Sequence, residues 1–188
     1  MNTPLPSRAA RFGTPLVLLH WLTVQLIIAV YALMEFSDIF PKGSAERTAM
    51  KSWHFTVGMT IFAVTWLRLL ARLASPTPAI EPPLPRWQSV LSHAVEGLLY
   101  LLMIGLPLSG WLTVSYNGGH VWFWGVDLPS LASAVNKDTS HSIKEVHEAV
   151  ANLGYALIGL HAVAALYHHY MRHDNTLLRM LPAKRSSL

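Results

Sequence analysis

His147-Glu148-Ala149-Val150-Ala151-Asn152-Leu153-Gly154-Tyr155-Ala156-Leu157-Ile158-Gly159-Leu160-His161 decides how this chain folds. A histidine stands at each end of a mostly apolar run, which continues to Tyr170. As a helix the run turns about 100° per residue, so the fourteen-residue spacing brings His161 back to within about 40° of the His147 face, about 21 Å further along the axis. Slight supercoiling removes most of that offset. One helix therefore presents two ionisable side chains on one face at two depths. In a stretch apolar enough to cross a bilayer, such side chains mark function by default.

Working outward, the rest of the chain has the same character. Of 188 residues 52% are hydrophobic and 13% are charged, and seven are Trp, which is too apolar for an ordinary soluble domain. Four spans approach the roughly 20 residues that a bilayer core requires. They run from about Leu16 to Met34, Trp53 to Leu73, Val95 to Tyr116 and Glu148 to Tyr170. The proline-dense run Ser75 to Pro85 cannot continue a helix and reads as an extended connection. The loop from Asn117 to Ser140 carries Gly118-Gly119 and the aromatics Trp122, Phe123 and Trp124, whose rings are expected at the headgroup level. There is no internal repeat and no separate soluble domain. The pattern predicts an all-α integral membrane four-helix bundle in one domain over residues 1–188.

Lys and Arg set the orientation. With the N-terminus in the cytoplasm, Arg8, Arg11, Arg68, Arg72, Arg86, Arg172, Arg179, Lys184 and Arg185 lie inside, against Lys42, Arg47, Lys51, Lys137 and Lys144 outside. Both termini are thus expected to be cytoplasmic. The first span is not expected to be cleaved as a signal: it is long, contains His20 and Gln25, and runs into Glu35 and Asp38 instead of a small-residue cleavage site. The net charge of +4 reflects this topology. Nucleic acid is excluded as a partner, because the basic residues form no patch interleaved with stacking aromatics.

Depth then decides which histidines can meet. His20 opens the first, outward-running helix and His54 opens the second, inward-running one, so they occupy opposite leaflets. On the fourth helix His147 is outer and His161 inner. The expected pairs are His54 with His147 and His20 with His161. Two nitrogen ligands at each of two depths, with no matching carboxylate, suit two b-type haems with paired axial histidines. Zinc would need ligands converging at about 2.1 Å on one ion, and these separate by depth. With no cysteine in the chain, disulfides, thiolate iron–sulfur clusters and covalent haem attachment are excluded. Taken singly, each histidine reads equally as a polar residue facing the bundle interior. Gly58, one turn beyond His54, and Gly154, between His147 and His161, are expected to clear space for a porphyrin. Arg68, fourteen residues beyond His54, falls on the same face at the inner leaflet, where it could pair with a propionate or simply snorkel to the interface.

At these residues the chain resembles the bacterial cytochrome b561 family of di-haem membrane proteins. The resemblance rests on Leu19-His20-Trp21-Leu22, Met34-Glu35-Phe36 with Phe40-Pro41, and His54 with Leu67-Arg68-Leu69-Leu70-Ala71-Arg72. It extends through His147 to Tyr155, Gly159-Leu160-His161, His168-His169-Tyr170, and Asp174-Asn175-Thr176-Leu177-Leu178-Arg179-Met180 with Pro182. It implies that the four histidines ligate haem, that the protein lies in the bacterial inner membrane, and that its activity is that of a superoxide oxidase passing electrons from superoxide to ubiquinone.

Two paired-histidine centres leave no open coordination position, so outer-sphere electron transfer is expected. An anionic donor outside would be drawn by Lys144, one turn before His147, and by Lys137, Lys51 and Arg47. Lys144 reads otherwise as a solvated residue at a helix start. His168, seven residues beyond His161, is placed to bond a quinone carbonyl or relay a proton, or else is an interfacial side chain without chemistry. His93, His169 and His173 read as interface residues, and His120 and His141 as loop residues. Two other classes compete: a cytochrome subunit relaying electrons between quinone and a soluble redox partner, and a colourless transporter or structural protein. A visible spectrum separates the last from the others.

Overall fold

The computed structural model describes residues 11–182; of the basic residues that set the expected orientation, Arg8, Lys184 and Arg185 lie outside them. Four long helices form the fold: α1 (Thr14–Ser37), α2 (Ala45–Leu73), α3 (Arg86–Tyr116) and α4 (Lys137–Tyr170). All four are long and apolar enough to cross a membrane. The architecture is an all-α membrane bundle, with one two-stranded addition between α3 and α4.

Local sequence explains where the helices begin. Pro15 in the first turn of α1 brings the right φ and needs no N–H partner there. Ser44 caps α2 by accepting from the Arg47 N–H at 3.2 Å, and Asn136 caps α4 by accepting from the Thr139 N–H at 3.0 Å. Three helices start well before the expected apolar spans: α2 at Ala45, α3 at Arg86 and α4 at Lys137, instead of Trp53, Val95 and Glu148. Hydropathy marks only the lipid-facing part, whereas the capped polar turns before it continue the same hydrogen-bond ladder. At 34 residues α4 is about 51 Å long, well beyond a roughly 30 Å hydrocarbon core. Both His54 and His147 therefore lie within established helix and not at its edge.

No helix occupies residues 74–85, in keeping with the proline-dense reading. The loop after α3 is more ordered than expected. Val121–Phe123 (β1) pairs antiparallel with Val126–Leu128 (β2) across a Trp124-Gly125 turn in which both residues have positive φ, +48° and +93°. This hairpin lies on α2. The Thr56 hydroxyl donates to the Trp122 carbonyl at 3.0 Å, Trp124 Nε1–H donates to Thr60 Oγ1 at 3.0 Å, and both indoles pack edge-on against Trp53. These contacts anchor Trp122 and Trp124 on α2.

Close backbone packing joins α1 to α2 and α3 to α4, with a lesser contact between α2 and α3; α4 makes few close approaches to α1 or α2. Among the described residues the buried apolar side chains are only Leu16, Val17, Met59, Ile61, Val64, Met103 and Val121. Most apolar side chains face outward, as a lipid solvent requires. The two faces of the bundle are distinct. The hairpin face carries the N-terminal ends of α2 and α4. The termini face brings both ends of the described chain together: the Phe12 N–H donates to the Arg179 carbonyl at 3.1 Å and Trp21 Nε1–H to the Met180 carbonyl at 2.8 Å. The tail after α4 folds back beneath the bundle and is pinned to the proline-rich connection, where Asn175 Oδ1 accepts from the Glu81 N–H at 3.0 Å.

Candidate haem-binding site

Across the loosely packed side of α4 the four histidines meet in two pairs. The His54 and His147 ring centres are 6.3 Å apart near the hairpin face, and those of His20 and His161 are 6.4 Å apart near the termini face. Two metal–imidazole bonds of about 2.0 Å, with about 1.1 Å from each nitrogen to its ring centre, account for a separation of about 6.2 Å. Both gaps fit one iron between two axial imidazoles. The four rings do not converge on a single point, and among the described residues no cluster of three or more His, Cys, Asp or Glu side chains could hold an ion.

Hydrogen bonds behind two of the rings fix the tautomer that ligation requires. His54 Nδ1 lies 3.1 Å from the Val30 carbonyl, which only accepts, so Nδ1 carries the proton and Nε2 keeps its lone pair. His147 Nδ1 lies 2.9 Å from Ser109 Oγ, whose own proton goes to the Leu106 carbonyl at 2.8 Å. Ser109 is therefore an acceptor toward His147, again leaving Nε2 bare. Gly110 lets α3 approach the same ring: a Cβ there would stand 3.4 Å from His147 Cε1. His20 Nδ1 is buried and has no partner among the described residues.

The glycines divide. A Cβ on Gly58 would meet nothing within 4 Å, in keeping with open space beside His54. Gly154 does not clear room for a porphyrin. A Cβ on it would stand 2.3 Å from the Tyr31 hydroxyl and 3.0 Å from Leu102 Cδ1, so its bare surface seats those side chains. The Tyr31 hydroxyl donates to the Ala151 carbonyl at 2.8 Å, and its ring lies 4.4 Å from that of Tyr155, whose hydroxyl donates to Glu35 at 2.6 Å. Gly154→Ala is expected to cost about 1–3 kcal/mol, because Tyr31 must give up its site. Adding Tyr31→Phe removes the clashing oxygen, so the double variant should lose less than the sum of the two single changes in thermal unfolding in detergent.

The remaining sequence candidates separate by face. The Arg68 guanidinium stands within electrostatic reach of both His20 and His161 and lies over the Tyr100 ring at 5.5 Å. Lys144 lies one turn before His147 but is not a lone charge at a helix start: seven residues of α4 precede it, and its Nζ is 2.7 Å from Glu148. That pairing reduces the field it projects. His168 Nδ1–H donates to Asp174 Oδ2 at 2.6 Å. Burial works against the Asp174 charge, but hydrogen bonds from His168 and Thr176 outweigh it and hold the carboxyl below the ordinary carboxylate range. His93 bonds its own helix at Ser89 and His141 faces Glu145, as side chains without a shared site do.

Ser109, Gly110, the Val30 carbonyl and Glu96 carry no mark in the sequence reading, and Asp174 enters it only within the closing run of the resemblance. Ser109-Gly110 two residues beyond Pro107, a small polar pair inside an apolar helix, was the available signal for the first two. A backbone carbonyl leaves none.

A profile of prokaryotic cytochrome b561 matches residues 11–183. The chain belongs to the prokaryotic cytochrome b561 family. It is similar to cytochrome b561 homolog 1 of Escherichia coli (strain K12), with 37% identity over 175 residues, 93% of this chain and 99% of that one. It is also similar to the probable superoxide oxidase CybB of Yersinia pestis, with 38% identity over 168 residues, 89% and 93% of the two chains. The cytochrome b562 of Cereibacter sphaeroides is 27% identical over 171 residues, 88% and 91% of the two chains. Cytochrome b561 proteins bind haem b, and this member is a multi-pass bacterial membrane protein of electron transfer. The residues described here fit that group.

Proposed function

We propose that this cytochrome b561 protein holds two haems b, one between His54 and His147 and one between His20 and His161, and oxidises superoxide at the hairpin face while reducing ubiquinone at the termini face. The carrying observation is the two pairs of imidazole rings, with centres 6.3 and 6.4 Å apart, on one side of α4. The four histidines would hold the haem b, which would supply one-electron redox chemistry when bound. Two superoxide anions, one quinone and two protons then give two dioxygen molecules and one quinol. The similarity to a probable superoxide oxidase supports this substrate.

The chain's own residues divide the work. Val30 and Ser109 orient His54 and His147. Lys144, although paired with Glu148, stands one turn from His147 at the face that also carries Lys137 and Lys51, where an anion would approach, whereas Arg47 is paired with Asp38. At the opposite face Asp174 holds His168 by Nδ1, leaving Nε2 as the ring atom able to take and pass a proton to a quinone oxygen.

Stopped-flow half-reactions test the assignment. Lys144→Ala is expected to slow haem reduction by superoxide several-fold at low salt and to flatten its salt dependence. Because His168→Ala would strand the buried Asp174 carboxylate, the informative change is His168→Gln. It should leave reduction by superoxide intact and slow reoxidation by quinone about tenfold or more. Wild-type behaviour of both variants in both half-reactions would remove these roles. Haem that superoxide does not reduce would instead favour a subunit relaying electrons between quinone and a soluble redox partner.

A further inference from the structure

Guanidinium groups gather at the termini face in excess of the carboxylates that could neutralise them. Arg179, on the tail that folds back beneath the bundle, is 6% exposed, and its Nε has no hydrogen-bond partner among the described residues. Arg68 Nε is likewise buried and without a partner. The nearby carboxylates are engaged. Glu96 faces Arg72 at 3.9 Å, and Asp174 takes the His168 ring and the Thr176 N–H, with Arg172 Nε at 3.8 Å. Arg179 lies within electrostatic reach of Arg72, Glu96 and Asp174, yet its close contact is with the face of the Phe12 ring at 4.9 Å, which Arg72 shares at 5.5 Å. Arg68, Arg72, Arg172 and Arg179 thus stand near Glu96 and Asp174, with the Nε of Arg68 and of Arg179 left without a partner among the described residues.

Buried guanidinium N–H groups without a partner are costly unless an acceptor completes them. Carboxylates or phosphates would be held there by charge-assisted, bidentate hydrogen bonds. The position of Arg179 favours a ligand of the neighbouring histidine pair. Its neighbour Met180 accepts from Trp21, the residue next to His20, so the tail is fastened to the turn of α1 that carries His20. Arg68, whose Nε is likewise buried without a partner, stands on α2 within electrostatic reach of His20 and His161. Haem b carries two propionate carboxylates, acceptors of the kind these guanidiniums lack.

We propose that Arg179, together with Arg68, takes the propionates of the haem held by His20 and His161, so that the C-terminal tail forms one wall of that site. The assignment rests on the di-haem reading. It adds a functional reason for the tail to close: the tail and the haem each stabilise the other's bound arrangement.

The test is potentiometric titration of the purified holoprotein, with haem content from the pyridine haemochrome and co-purifying phospholipid phosphorus measured on the same samples. The component of the His20/His161 site is the one lost in His161→Ala. A positive charge beside iron favours the reduced, electron-richer state. Arg179→Gln is therefore expected to lower the midpoint potential of that component and leave the other unmoved, while Arg179→Lys returns most of the shift. If Arg179→Gln binds less haem, content should fall from two per chain to one and recover in Arg179→Lys. An unchanged potential at two haems per chain overturns the proposal, as does loss of both haems in both variants. So does a fall in bound phosphorus with the potential unchanged, which would make a lipid headgroup the anion. Fewer than two haems in the unsubstituted protein would overturn the di-haem reading itself.

Discussion

Alanine in place of any one of the four paired histidines is expected to cut haem content from two per chain to one. His54→Ala and His147→Ala should erase the same spectral component, and His20→Ala and His161→Ala the other. The expectation follows from two gaps of 6.3 and 6.4 Å that are separated along α4, so that removing one ring opens one site while the other keeps both its ligands. A smaller change beside a ligand should grade the effect. Ser109→Ala deprives His147 Nδ1–H of its acceptor and frees the ring to turn, which for a residue behind a metal ligand costs about 10–100-fold in affinity. Its loss should fall on the same component as His147→Ala. A pyridine haemochrome assay giving one haem in the intact protein, or His54→Ala and His161→Ala erasing the same component, would sink the assignment.

Much of this arrangement was legible before any coordinates. The fourteen-residue spacing of His147 and His161 gave two depths on one face, and alternating helix direction separated His20 from His54; both inferences need only the pitch of a helix and the thickness of a membrane. Helix starts were less legible, because hydropathy reports the solvent and not the backbone. The polar turns from Lys137 to Val146 belong to α4 through the Asn136 cap. Gly154 was legible as a place where something approaches, but not as what approaches. Its occupants, Tyr31 and Leu102, come from α1 and α3, and nothing in their spacing announces the meeting. His168 shows the same limit. Its face followed from periodicity, whereas its partner Asp174 lies beyond the helix end, in a tail whose return path no periodic pattern encodes.

Turnover is expected to be electrogenic. The two histidine pairs sit at opposite ends of a run of fourteen residues on α4, about 21 Å of helical rise and a large fraction of a roughly 30 Å hydrocarbon core. Electrons taken from superoxide at the hairpin face and delivered to quinone at the termini face carry negative charge across that distance. If both termini lie in the cytoplasm, as the Lys and Arg distribution suggests, the charge moves inward. Protons drawn from the cytoplasm for quinol formation, with His168 and Asp174 on that face, add displacement of the same electrical sense. The membrane should become inside-negative. In reconstituted, ion-tight vesicles with quinone in the bilayer and superoxide generated on the hairpin face, a voltage-sensitive dye should report a potential that rises with turnover and collapses with an ionophore. Sustained quinol formation without a potential would mean that donor and acceptor react at the same histidine pair, and the second pair would then need a role other than carrying charge across the membrane.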